Sequence, residues 1–216
     1  LDVRLNGAHY KNKMLVMPVD YYNADGTDVK KKMSGAMSVG HSAYDHYTLV
    51  YGGVDEEGNA LYQGYYDVRY GEGSYMADKG NNEYNYIISL HQWILDQEEE
   101  GVDNPEQFLR DTLTNDASFA AQQYVGKSYL PDIAGGVGVD LDVYGVTLSV
   151  ACSYQIGGYG YDATYMALMA NAPIGGHNWH VDMLNAWTEQ NTNTNIPRLS
   201  NGNGEFDSYA NTASTR

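Results

Sequence analysis

From Val137 to Ile156 apolar and polar side chains alternate with a single interruption. Val137, Val139, Leu141 and Val143 share one parity, with Gly138, Asp140 and Asp142 between them. After Tyr144-Gly145 the alternation resumes: Val146, Leu148, Val150, Cys152, Tyr154 and Ile156 against Thr147, Ser149, Ala151, Ser153 and Gln155. A period of two marks strands, whose successive side chains point to opposite faces. The break has turn chemistry, so the pattern predicts a β-hairpin over about 133–157. Leu1, Val3 and Leu5, alternating with Asp2, Arg4 and Asn6, predict a further short strand.

Elsewhere the pattern changes. Residues 10–37 read as a long loop. "SVGHSAYDHYTLVYGG" (38–53) predicts a strand weakened at its start by Gly40 and His41, and "LYQGYYDVRY" (61–70) the returning one, with turn residues at 54–60 between them. Tyr84, Ile87, Ile88, His91, Ile94 and Leu95 fall at helical spacing and predict a helix over 84–97, ended by Glu98-Glu99-Glu100-Gly101. Asn104, Pro105 and Gln107 suit a capped helix start, predicting helix over 105–113. Further helices are expected after Asp162 ("DATYMALMAN") and near "NWHVDMLNAW", before a polar tail. These helices should pack through Ile87, Ile94, Leu109, Met166 and Met169.

Short turns at 54–60 and 143–146 thus alternate with very long connections at 10–37, 70–130 and 158–216. With the strands counted in order, both turns fall on one side and all three long loops on the other, as in outer-membrane barrels. The fold class this predicts is all-β: a segment of a large antiparallel transmembrane β-barrel with long, partly helical extracellular loops. One hairpin face, with Val, Leu, Ile, Cys and Tyr, suits hydrocarbon; the other, with Gly, Asp, Ser, Thr, Gln and Ala, suits a wet lumen. A soluble carbohydrate-binding β-sandwich with helical insertions would alternate in the same way, because it buries one face and solvates the other. A cell-surface enzyme domain is a third option.

Composition narrows the classes. Twelve basic against 28 acidic residues give a net charge of −16, which argues against nucleic acid as a partner. Tyr (21) far outnumbers Phe (3), as suits aromatics with one apolar and one wet end. The single cysteine, Cys152, excludes an internal disulfide, and its place on the apolar parity points to packing rather than reactivity. No run approaches the ~20 apolar residues of a membrane helix, and Leu1 begins inside an alternating strand rather than a signal peptide. The chain is therefore expected to be a piece of something longer.

The C-terminal third carries specific motifs: Pro131-Asp132 with Gly135-Gly136, Ser153-Tyr154-Gln155-Ile156-Gly157-Gly158, Ala186-Trp187-Thr188 and Ile196-Pro197-Arg198-Leu199. With "YGGVDEEGNALYQ" (51–63) and "LNGAHYKNKM", they resemble the TonB-dependent outer-membrane transporters of the SusC/RagA-like, starch-utilisation type. The likeness is specific over 127–216 and loose over 64–126. The run "AWTEQNTNTNIPRL" departs from the family, which often has Pro after Trp-Thr and Asp before Ile-Pro. The resemblance implies a barrel of about 22 strands with an N-terminal plug, of which residues 1–216 would be an internal part without the plug. It also implies the outer membrane of a Gram-negative bacterium, a SusD-like surface lipoprotein over the extracellular loops, TonB acting through the plug, and a glycan or peptide substrate.

Other chemistry finds little support in the sequence. His177 and His180 lack the further ligands of a metal site. "YNADGTD" and "NGNGEFD" lack the full ligand set of a calcium loop, and "GGVG" and "GGYG" lack the Lys-Ser/Thr of a phosphate cradle. "DQEEE" reads as a solvated helix end. There is no G-x-S-x-G elbow, so no enzyme activity and no cofactor are expected. The candidate substrate- or partner-binding residues are Tyr161, Trp179 and Trp187. The two tryptophans serve equally well as packing anchors of a long loop, the role the residues themselves favour.

Overall fold

The computed structural model describes residues 1–22, 28–30, 32–74, 85–169 and 178–199. In chain order the strands are β1 (Asp2–Ala8), β2 (Val19–Tyr22), β3 (Asp28–Lys30), β4 (Met33–Ser34), β5 (Met37–Ser38), β6 (Asp45–Leu49), β7 (Tyr51–Val54) and β8 (Ala60–Asp67). Helix α1 (Leu90–Glu99) follows, then β9 (Leu109–Thr114), β10 (Gln122–Ser128), β11 (Ile133–Val143), β12 (Val146–Ile156) and helix α2 (Ala163–Met169). Short 3₁₀ turns cover Pro105–Phe108 and Val181–Asn185. The architecture is mostly antiparallel β. Among the described residues no helix is long and apolar enough to cross a membrane.

The predicted hairpin forms as two strands of 11 residues each. Tyr144 (φ 53°) and Gly145 (φ 81°) both take the left-handed conformation that a two-residue turn requires. β1 pairs antiparallel with β11, not with a strand close to it in sequence. The order β1-β11-β12 makes everything between residues 9 and 132 one excursion between neighbouring strands. The turn at 54–60 therefore is not a counterpart of the turn at 143–146: it joins β7 to β8 in a separate three-stranded sheet, β7-β8-β9. Among the described residues three strands, β1, β11 and β12, share the hairpin's sheet. Sequence order misled because the β1–β11 pairing is set by matching faces across a long stretch of chain.

Two compact units result: Leu1–His46 with Gly126–Tyr161, and Tyr47–Val125 with Asp162–Arg216. The first holds the β1-β11-β12 sheet and the small pairs β2-β3 and β4-β5. The second takes in most of two of the three long predicted connections, 70–130 and 158–216, and has a core of Leu49, Ala60, Tyr62 and Ala120, flanked by Tyr51 and Ala117.

Several local predictions shift. The helix expected near "NWHVDMLNAW" is only the 3₁₀ turn Val181–Asn185, and the loop expected over 10–37 contains β2, β3 and β4. The helix expected over 84–97 begins only at Leu90, because Ile87 N–H bonds to Tyr65 C=O and Ser89 bridges to Gln122, which holds this stretch extended; Tyr84 lies outside the described residues. Its end is as expected. Gly101 (φ 80°) closes a Schellman motif in which its own N–H reaches Glu98 C=O and Val102 N–H reaches Gln97 C=O. The helix expected over 105–113 is a single 3₁₀ turn followed by β9. Asn104 sits at φ 50° without a capping bond, and "LRDTLT" pairs residue for residue with β8 from Asp67↔Leu109 to Tyr62↔Thr114. Pairing to an existing strand overrides a modest capping signal. The strand expected over 38–53 is broken into β5, β6 and β7, with Gly40 (φ 92°) and Gly53 (φ 112°) in conformations that interrupt a ladder. Of the residues expected to join the helices, Ile87 and Met169 are buried, whereas Ile94, Leu109 and Met166 are half-buried.

Candidate functional site

In the three-stranded sheet, residues directly opposite one another share a face. Register places Val3, Val139 and Val150 in one row, Leu5, Val137 and Cys152 in the next, then Gly7, Gly135 and Tyr154. Leu141 with Leu148 and Ile133 with Ile156 extend this face to both ends. The opposite face carries Asp2, Asp140 and Ser149; Arg4, Gly138 and Ala151; Asn6, Gly136 and Ser153; Ala8, Ala134 and Gln155. One face is thus wholly apolar or aromatic, and the other holds charges, amides and small groups. Arg4 pairs with Asp140 there, which offsets the like charge of Asp2 set directly opposite Asp140.

The apolar face is uncovered. Leu5 is 76% exposed, Val146 70% and Leu148 56%, and Cys152, which the sequence suggested was packed, is exposed too. Tyr154 uses the glycines beside it: its hydroxyl donates to Asn6 C=O at 3.0 Å, and a Cβ on Gly135 would lie 2.6 Å from that hydroxyl. The ring therefore lies across Gly135, a known way to cover a bare glycine in a sheet.

Where the hairpin ends, a second group forms. Tyr159 N–H donates to Ser128 C=O at 2.8 Å, so the two chains stay close past Ile133 and Ile156. His46 Nε2 is 2.7 Å from Tyr159 C=O, which fixes that nitrogen as the donor, and its ring lies 4.0 Å from that of Tyr129. Lys127 Nζ donates to the Tyr159 hydroxyl at 3.0 Å and sits 4.1 Å from the ring centroid. Tyr161 joins this group, its phenol raised above the usual range first by burial and then by the neighbouring Tyr129. Tyr129, Tyr159 and Tyr161 nonetheless remain exposed. Of this set the sequence suggested only Tyr161. Extending the Ile133↔Ile156 register by a few residues would have brought Tyr129 beside Tyr159 and Tyr161.

In the second unit, Trp187 packs over the 55–59 turn. Asp55 organises that turn by accepting the Glu57 and Asn59 N–H groups at 3.0 and 2.7 Å. A Cβ at Gly58 (φ 88°) would lie 2.5 Å from the Trp187 ring. Backbone bonds from Arg198 N–H to Gly58 C=O and from Trp187 N–H to Ile196 C=O tie the run to the turn. Asn191 and Thr194 spend their side chains on the carbonyl of Asn185. Trp187 is half-buried here and has a packing task, whereas Trp179 is 37% exposed.

Asp67, buried at the end of β8, grips Arg69 through both carboxylate oxygens, with Nε at 2.9 and 3.0 Å. Arg69 in turn bonds to Gln97 of α1 and lies 4.5 Å from the Phe108 ring. Bonding to Asp67 raises the guanidinium above its ordinary range, opposed by burial. This network fastens α1 to β8.

Among the described residues no three metal-ligating side chains converge. His177 lies outside the described residues, as do most of "YNADGTD" and all of "NGNGEFD". His180 Nδ1 accepts from Asp182 N–H and so caps the 3₁₀ turn over Val181–Asn185.

No protein-family model and no curated protein matches the chain. Among solved structures it is similar to the RagAB peptide transporter, at 20% identity and a TM-score of 0.45, over 80% of this chain and 15% of that one. A structure of the RagAB peptide importer in its "closed-closed" state gives 20% identity and a TM-score of 0.46, over 81% and 15%. The chain spans about 15% of the length of those chains.

Proposed function

We propose that residues 1–216 are an internal segment of a TonB-dependent outer-membrane importer of the SusC/RagA type, with β1, β11 and β12 as neighbouring transmembrane strands. The observation that carries this is the uncovered apolar face backed by a charged one. A soluble sandwich also has two unlike faces, but it needs a second layer over the apolar one, and here that face is exposed along all three strands. Length agrees. The ten steps from Val146 to Ile156 rise about 33 Å at ~3.3 Å each, and a strand tilt near 40° projects this to about 25 Å, the height of a barrel's apolar band. Tyr144 at one end and Tyr154 near the other fall where interfacial aromatics belong. The outer edges of β1 and β12 have no strand partner among the described residues, and in hydrocarbon unpaired edges are untenable. Further strands of a longer chain would close them.

In this reading the second unit is loop structure on the extracellular side. It offers a surface for a SusD-like lipoprotein and for an imported glycan or oligopeptide, while TonB acts through a plug elsewhere in the protein. The segment itself carries no catalysis. The test is fractionation of cells expressing the full-length protein. It should sediment with the outer membrane, resist carbonate and high salt, and dissolve only in detergent. Recovery in the soluble or carbonate-released fraction would overturn the proposal.

A further inference from the structure

An interfacial belt accounts for tyrosines at a strand end, but not for the Lys127 ammonium and the His46 imidazole held among them. Lys127 is exposed, and among the described residues no carboxylate stands within ion-pair distance of it. That is notable in a chain with 28 acidic and 12 basic residues. Its ammonium is held against Tyr159 by one hydrogen bond and by the ring face. Tyr129 and Tyr159 are each 51% exposed, and His46 is fixed through Nε2, leaving Nδ1 without a partner among the described residues. Tyrosines present large, flat, two-torsion surfaces whose ordering costs little entropy, and their hydroxyls can meet other hydroxyls.

We propose that Lys127 and Tyr159, with Tyr129, Tyr161 and His46 around them, bind an acidic sugar unit: a hexuronic acid of a larger glycan. The apolar face of the pyranose lies on a tyrosine ring, the carboxylate meets the Lys127 ammonium, and a ring hydroxyl donates to His46 Nδ1. The net charge of −16 does not forbid an anionic ligand. At physiological ionic strength charges beyond about 8 Å are largely screened, whereas the ammonium would be in contact. Lysine acts here as a single point charge, which one carboxylate per sugar matches. An acidic peptide could answer the ammonium but would leave the flat rings and the imidazole acceptor less well used. The inference deepens the importer reading by naming a substrate class, yet it stands on the geometry of the first unit, so either can fail without the other.

The test is calorimetric titration of the full-length protein, purified in detergent, with a galacturonate tetramer. The arms are the same tetramer with its carboxyls reduced to alcohols and a tetraglutamate peptide. The galacturonate should bind at least tenfold more tightly than either. Lys127→Gln should remove about tenfold of the galacturonate affinity and leave the reduced sugar unaffected, and Tyr159→Ala should weaken both sugars. Each variant must retain the parent's heat-modifiable mobility, which reports a closed barrel. Absence of galacturonate binding, equal binding of the reduced sugar, an unaltered affinity in Lys127→Gln, or peptide binding as tight as the sugar would each overturn the assignment.

Discussion

Replacing Val150 by arginine separates the two faces of the sheet more sharply than any other single change. Val150 lies one residue from Ala151, the middle of β12, so with about 3.3 Å of rise and a tilt near 40° it sits roughly 2.5 Å from the bilayer centre. Its row neighbours are Val139 and Val3, and none of them can pair a guanidinium. An arginine near the midplane of a barrel's lipid face costs about 2–4 kcal/mol, or roughly 30- to 900-fold in the folding equilibrium. Ser149→Arg is the control. That side chain is one residue away but on the other face, opposite Asp140, where water and a carboxylate receive the charge. Its effect should stay within about 0.5 kcal/mol. The assay is guanidinium-driven unfolding of the full-length protein in lipid vesicles, followed by tryptophan emission. Equal effects of the two substitutions, or a larger one for Ser149→Arg, would refute the face assignment.

Other perturbations address the second unit. Gly58→Ala adds a Cβ at φ 88° into the Trp187 ring and should destabilise the joint between the 55–59 turn and the 187–198 run by roughly 2–4 kcal/mol; hydrogen exchange of those peptides should accelerate together. Asp67→Ala leaves Arg69 without its buried partner and should loosen α1, by about 2–3 kcal/mol once the partial exposure of Arg69 is discounted, read as faster exchange over 90–99 with the β1-β11-β12 sheet unaltered. Substituting Trp179 and Trp187 together by Ala should lower substrate uptake by cells at normal outer-membrane abundance; unchanged uptake would leave both as packing residues.

The hairpin was legible because its alternation is local and nearly unbroken, and because both of its faces have a consistent chemistry. β1 was legible for the same reason, but its partner was not: nothing near Asp2–Ala8 says that it matches Ala134–Asp140. Only the complementarity of Val3 with Val139 and Leu5 with Val137 does so. The helix expected at 105–113 failed where a good start signal met a sequence, "LRDTLT", that β8 could recruit. Residues 85–89 have helical spacing but are held extended by Tyr65 and Gln122. At the candidate site, the packing role of Trp187 rests on Gly58, far away in sequence, and the turn between them gives no hint of a ring above it. His46 was not legible because it comes from a third segment, far from the hairpin in sequence, whereas Tyr129 follows from extending the hairpin register. Tyr161, which the sequence did suggest, gains a setting from them.

In a transmembrane sheet Cys152 faces hydrocarbon while its neighbour Ser153 faces water. A nitroxide on Cys152 in the full-length protein, with any other cysteine replaced and the protein reconstituted into lipid vesicles, reads this directly through collision with oxygen and with a water-soluble nickel chelate. The comparison is a nitroxide at residue 153 in a Cys152→Ser, Ser153→Cys background. Residue 152 should show high oxygen and low nickel accessibility, and residue 153 the reverse. Nickel accessibility at 152 equal to or above that at 153 would contradict the face assignment.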